Sequence, residues 1–169
     1  MDPHYRPASR LTTVLVLLLG ALLAAAGAWW GTQHARPASA QNAVTAVDPE
    51  LMRRFELARA DAEAEGITLT ITSGWRSAAE QQELVDDALD RYGSATEAHR
   101  WVLPPKESAH VQGTAIDVGD TAGALWLGDR QEQYGLCRTY LNESWHFELV
   151  GPVGSSCPEP WPDASHGWG

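Results

Sequence analysis

His110 and Asp117 lie seven positions apart in the stretch SAHVQGTAID, residues 108–117, and Glu143 precedes His146 by three in NESWHFEL, residues 142–149. Two imidazoles and a carboxylate make a ligand set for a zinc ion, with the fourth position left for water. A separate carboxylate can take the proton from that water as it attacks a carbonyl, and zinc lowers the pKa of such water to about 7. Glu143 would lie in the approach to a strand beginning at His146, facing the metal space without being a ligand. Taken singly, each residue has an ordinary explanation: a surface histidine, or an aspartate capping a turn. Only their combination points to hydrolysis. The negative oxygen that develops during attack needs a positive partner. Arg76, in SGWRS at 73–77, follows a strand on a tight turn and serves equally well as that partner or as a surface arginine.

The elements that must position these groups can be read on either side of them. Asp48 caps and Pro49 opens a helix in which Leu51, Phe55, Ala58 and Ala62 recur at helical spacing, and Gly66 closes it. ITLTIT, 67–72, is β-branched and alternating, as a strand should be. Ser77 with Glu80 forms a capping box for a helix to Tyr92, ended by Gly93. Ser94 and Glu97 repeat that signature for a short helix to Trp101. Residues 102–112 are expected as a loop, because Pro104-Pro105 forbids regular structure there, and this puts His110 in a loop. GTAIDVG, 113–119, then forms the strand that carries Asp117, and Gly113 frees the turn before it. Residues 120–135 read as one helix between Asp120 and Gly135, WHFELV at 145–150 as the last strand, and the Gly/Pro-rich tail as irregular. The order implies an α+β domain with a small antiparallel sheet and flanking helices.

The N-terminus sets the compartment. Residues 1–10 carry Arg6 and Arg10, and no formally charged residue occurs from Leu11 to Ala35. The apolar segment at 11–31 is long enough to cross a bilayer, with the basic end in the cytoplasm. ASA at 38–40 offers the alternative of a signal peptide cleaved after Ala40. Either way a linker reaching residue 47 leads to a domain at 48–169 outside the cytoplasm, membrane-anchored in one case and secreted in the other. Residues 41–169 hold nine Lys/Arg against twenty-one Asp/Glu, a formal charge of −12 with histidine neutral. That surface repels phosphate backbones and excludes nucleic acid as a partner. Cys137 and Cys157 are the two cysteines; in an oxidising compartment they are expected to pair, against the alternative of two buried free thiols. Nothing in the sequence requires more than a monomer.

SGWRS with Gln81 four residues beyond Ser77, then SxHxxGxAxD at 108–117, then ExxH at 143–146, together resemble the zinc D-alanyl-D-alanine carboxypeptidases, and more narrowly the VanY-like branch of the peptidase M15 family. The motifs stand in that family's order across residues 73–148, and YGLCRTYLNESWHFEL resembles its actinobacterial members. The resemblance implies the fold shared with Hedgehog signalling domains. It also implies zinc held by His110, Asp117 and His146, with Glu143 as catalytic base and Arg76 stabilising the oxyanion. Ser108 and Gln81 fall on positions that line the substrate site. Trp75 stands where tyrosine is common and Ser144 where proline is common, the second loosening the turn that aims Glu143. The implied substrate is the peptidoglycan stem peptide, trimmed of its terminal D-Ala, with Trp145 and Trp126 as possible pocket walls. The rivals are an endopeptidase of the same fold and a zinc-bearing binding module without turnover, although the latter would need neither Glu143 nor Arg76.

Overall fold

The computed structural model describes residues 46–168. The apolar segment expected at 11–31, the residues before it and most of the linker lie outside the described residues. Among the described residues no helix is long and apolar enough to cross a membrane.

Helix α1, Pro49–Ala64, begins where expected: the Asp48 carboxylate accepts from the backbone N–H groups of Glu50 and Leu51, and proline opens the first turn. Its buried stripe of Leu51, Phe55, Ala58 and Ala62 packs with Ile116, Val118, Leu127, Leu136 and Phe147 into the core. Strand β1, Thr70–Ser73, starts three residues later than the alternation suggested. Helix α2, Ala78–Tyr92, has both halves of its capping box, between Ser77 and Glu80, and ends at Gly93 with φ +68°. A single turn, α3 (Ala95–Ala98), follows.

Two expectations need correction. His110 is not in a loop: a helical turn, α4 (Ala109–Gln112), follows the proline pair and carries it. The two prolines stop regular structure only locally, because Ser108 can already open a turn. After strand β2 (Ala115–Gly119), the single helix expected at 120–135 divides into α5 (Thr121–Gly128) and α6 (Gln131–Tyr134). The break falls at Asp129-Arg130, and α6 packs against α1 and against β3, Leu136–Arg138, a strand too short to show a period. Strand β4, His146–Leu149, is the last. The four strands form one antiparallel sheet in the order β1-β2-β4-β3.

Alternation across this sheet separates core from site. Ile116, Val118 and Phe147 point into the core, so Asp117 and His146 point to the other face. Ser73 pairs with Asp117 in β1–β2, and Asp117 with His146 in β2–β4, which sets three polar side chains in one row. Gly113, at φ +76°, closes α4 and leads into β2. A Cβ there would meet the Ala46 carbonyl oxygen at 2.6 Å, so this close approach admits only glycine.

The tail is less irregular than its composition suggests. Cys137 and Cys157 form a disulfide, with Cα atoms 5.6 Å apart. Trp161 pairs with Tyr140, Arg100 holds Asp163 at 2.8 Å, and a 3-10 helix at Ala164–Trp168 ends with the Trp168 indole donating to the Val102 carbonyl.

Candidate active site

His110 Nε2, His146 Nδ1 and Asp117 Oδ1 lie at the corners of a triangle, each pair 3.2 Å apart. All three residues are buried. The outer atom of each ligand is already engaged. His110 Nδ1 lies 2.7 Å from the Gly74 carbonyl, to which it can only donate, so its Nε2 lone pair is free and points inward. His146 Nε2 lies 3.0 Å from Glu148 Oε1, which leaves Nδ1 facing inward. Asp117 Oδ2 accepts from Arg76 Nη2 at 2.9 Å, which leaves Oδ1 inward. Three acceptors converging on one point require a cation between them. A tetrahedron with bonds of about 2.0–2.1 Å has edges of about 3.3 Å, so the triangle fits a zinc ion with one position open.

The charge balance agrees with this arrangement. Burial alone would raise Asp117, yet hydrogen bonds and charge from His110 and His146 hold its carboxyl well below the usual carboxylate range. Burial opposes protonation of His146, but Asp117 and Glu148 more than offset it and push the imidazole up to about 9. A proton thus takes the cation's place when no metal is bound. Glu143 lines the same cleft and is not a corner of the triangle. Burial, reinforced by Asp117 and Glu148 against the pull of His146 and Arg76, pushes its carboxyl up to about 7. A base poised near neutrality suits proton transfer from an attacking water. The turn before β4 is intact with Ser144 in it, since His146 N–H donates to the Glu143 carbonyl at 3.3 Å.

Arg76 has the structural employment that its sequence position did not reveal. Its guanidinium donates to Ser73 Oγ, to Gln81 Oε1 at 3.1 Å and to Asp117 Oδ2. Gln81, fully buried on α2, donates in turn to the Leu103 carbonyl. Gln81 therefore anchors Arg76, which anchors Asp117. Ser108 is buried at the start of α4, caps nothing with its side chain and lines the cleft.

All seven expected site residues, His110, Asp117, His146, Glu143, Arg76, Ser108 and Gln81, line one cleft of about 450 Å³. Trp145 lines it too. Trp126 does not: it is buried in the core, donates to Glu65 and carries Arg130 over its ring. Sequence reasoning missed Glu148, the Gly74 carbonyl and Tyr140, a buried ring 5.2 Å from that of His146. Glu148 had a readable signal, since i and i+2 of a strand share a face. The other two had none.

The family model for VanY, D-alanyl-D-alanine carboxypeptidase, matches residues 44–152. A D-alanyl-D-alanine carboxypeptidase of Enterococcus faecalis (strain ATCC 700802 / V583) is 29% identical over 130 residues, covering 62% of this chain and 47% of the relative. The chain thus spans about half the length of that curated relative. Among solved structures, a vancomycin-resistance D,D-pentapeptidase VanY in complex with Zn(II) superposes with a TM-score of 0.57 at 25% identity, over 62% of this chain and 73% of the other. VanYB in complex with D-alanine-D-alanine gives 0.56 at 26%, over 62% and 72%. The LD-carboxypeptidase LdcB gives 0.55 at 26%, over 62% and 59%.

Proposed function

The chain belongs to the VanY D-alanyl-D-alanine carboxypeptidase family, and from that premise we propose that it is a zinc-dependent carboxypeptidase removing the terminal D-alanine of peptidoglycan stem peptides. The observation that carries this is the equilateral triangle of three inward-facing lone pairs with Glu143 beside it in an open cleft. Bound zinc supplies a polarised carbonyl and a water acidified to about pKa 7. Glu143 takes the proton from the attacking water and delivers it to the departing D-alanine nitrogen. Arg76 holds Asp117 in its inward orientation, and its charge on the cleft wall favours the carbonyl oxygen as that oxygen turns negative. The domain works outside the cytoplasm, tethered through residues 11–31 or released after Ala40.

The full chain, loaded with zinc, should release free D-alanine from a stem pentapeptide ending in D-Ala-D-Ala. Release should stop with a chelator and return when zinc is restored; a folded, zinc-loaded protein that releases none would overturn the proposal. An L,D-specific activity has one specific support, the likeness to the LD-carboxypeptidase LdcB and to an L,D-carboxypeptidase DacB of Streptococcus pneumonia, the latter 27% identical with a TM-score of 0.52. Release of D-alanine from the tetrapeptide stem, but not from the pentapeptide, would establish that activity instead.

A further inference from the structure

The family match ends at residue 152, and the tail beyond it adds rings that the hydrolysis does not use. Tyr140 and Trp161 pair in a parallel bridge: Trp161 N–H donates to the Thr139 carbonyl at 2.8 Å, and Leu141 N–H to the Trp161 carbonyl at 2.9 Å. Residues paired in a bridge direct their side chains to the same side. The Trp161 indole therefore stands on the side of Tyr140, which walls the cleft. His166 touches both: its ring lies 5.7 Å from that of Tyr140 and stacks on the indole at 4.5 Å, with the planes 5° apart. Three ring-to-ring steps, of 5.2, 5.7 and 4.5 Å, lead from the ligand His146 to Trp161, which thus lies no more than about 15 Å from it.

Trp161 is held rigidly yet left open. Pro160 and Pro162 fix the backbone on either side, His166 covers one face of the ring, and 52% of the residue is still exposed. A tryptophan kept for packing buries its faces. A clamped ring with one bare face is instead oriented before any ligand arrives, and loses little freedom on binding. One indole face is far smaller than the roughly 800 Å² that each partner of a stable protein interface contributes. The acidic surface of residues 41–169 also repels anionic lipid. What an isolated indole face matches is the C–H face of a neutral sugar ring, apolar across its plane and hydroxylated at its edge. Stem peptides are branches on a glycan of N-acetylated sugars, and four residues separate the bond to the terminal D-alanine from the sugar. At about 3.5 Å each, extended, they span about 14 Å, the reach from the metal site to Trp161. We propose that Trp161, backed by His166, is a stacking platform for a pyranose of the glycan strand, so that the chain acts on stems attached to glycan in preference to free stem peptides. The platform rests on the carboxypeptidase activity above, which puts the stem in the cleft, and it is built from residues outside the family's matched span.

Two substrates test this: a free stem pentapeptide ending in D-Ala-D-Ala, and the same pentapeptide carried on a tetrasaccharide of alternating N-acetylglucosamine and N-acetylmuramic acid. The readout is the ratio of kcat/KM for D-alanine release, glycan-linked over free, on the zinc-loaded full chain. That ratio should be about fivefold, the scale of one aromatic stack, and should arise in KM. Trp161→Ala should bring it to within twofold of one, and Trp161→Tyr, which keeps a ring, should retain most of it. Being a ratio, it reads the platform even where Trp161→Ala loosens the tail and lowers both constants. Calorimetry with a tetrasaccharide of N-acetylglucosamine alone should show binding that Trp161→Ala removes. A ratio of one in the unmodified chain, or a ratio that Trp161→Ala leaves unmoved, overturns the platform. So does a dimer in sedimentation that Trp161→Ala abolishes with no preference between the substrates, since the indole then serves a second copy. Sugar binding lost in Trp161→Ala, without D-alanine release from either substrate, sinks the carboxypeptidase reading and keeps the platform. Release with neither a ratio nor sugar binding does the reverse, and absence of both release and sugar binding sinks both.

Discussion

Burial lifts the Glu143 carboxyl from its ordinary 4.5 to about 7. An acid whose folded pKa exceeds its unfolded value binds its proton more tightly when folded. Stability is therefore full below pH 4.5, falls as the pH rises, and levels off above about 7. In the presence of chelator, Glu143→Gln should then match the unmodified protein at pH 4 and exceed it by about 3 kcal/mol at pH 8. Thermal melts from pH 4 to 8 would show the two curves diverging; parallel curves would mean the carboxyl is not desolvated. The same variant, loaded with zinc, should keep its metal and lose about 10²–10⁴ in kcat, since it retains the ligands and lacks the base. Glu148→Ala acts one bond further out. It frees His146 Nε2 and should weaken zinc binding about 10–100-fold in competition with a chelating dye. An unchanged affinity would show that β4 alone orients the ring. The residues that converge in the cleft, His110, Asp117, His146 and Glu143, were legible because histidines and carboxylates at these spacings are uncommon in combination. Of the missed groups that aim them, only Glu148 was within reach of sequence reasoning, two residues beyond His146 on the same strand face, because a backbone carbonyl such as that of Gly74 has no signature.

At the scale of elements, the site depends on β2 and β4 running side by side while α4 brings His110 back over them. Gly113 closes α4 in the left-handed region, against the Ala46 carbonyl. Gly113→Ala combines positive-φ strain with that close approach, and should destabilise by about 1–3 kcal/mol in denaturant unfolding. A loss under a few tenths of a kcal/mol would show that residue 46 simply moves aside. The strongest helices were legible to within a residue or two, since Asp48, Ser77 and Gly93 mark ends by local hydrogen bonding that sequence records directly. Shorter elements were not. Four residues suffice for α4 and three for β3, too few for either period to repeat. The split between α5 and α6 follows from packing onto α1 and β3, a contact with no local signal. Register, which sets Ser73, Asp117 and His146 in one row, was likewise a tertiary result.

Across the whole molecule, the family match ends at residue 152, yet Ala164 lines the cleft. Residues beyond the matched span therefore complete the wall beside Tyr140, and the disulfide from Cys137 to Cys157 is their covalent tie. Closing a loop of 20 residues restricts the unfolded chain and contributes about 3 kcal/mol in the entropic account. The ties beyond it are a few hydrogen bonds: two backbone bonds join Trp161 to Thr139 and Leu141, Arg100 pairs with Asp163 and its carbonyl accepts from the Ala164 N–H, and Trp168 donates to the Val102 carbonyl. Individually each is worth about 1 kcal/mol or less. Cys137→Ala with Cys157→Ala should thus lower stability by about 3 kcal/mol while leaving the four-stranded sheet folded. The tail carries none of the groups assigned to zinc or proton transfer, so kcat should hold within about twofold. KM should rise several-fold, because the wall that confines the peptide has lost its anchor. Denaturant unfolding and steady-state D-alanine release, measured on the same preparation, separate the two effects. A loss of stability with KM unchanged would reduce the tail to a staple; a fall in kcat alone would mean that Tyr140, held from the far side by Trp161, orients His146 more directly than its position suggests.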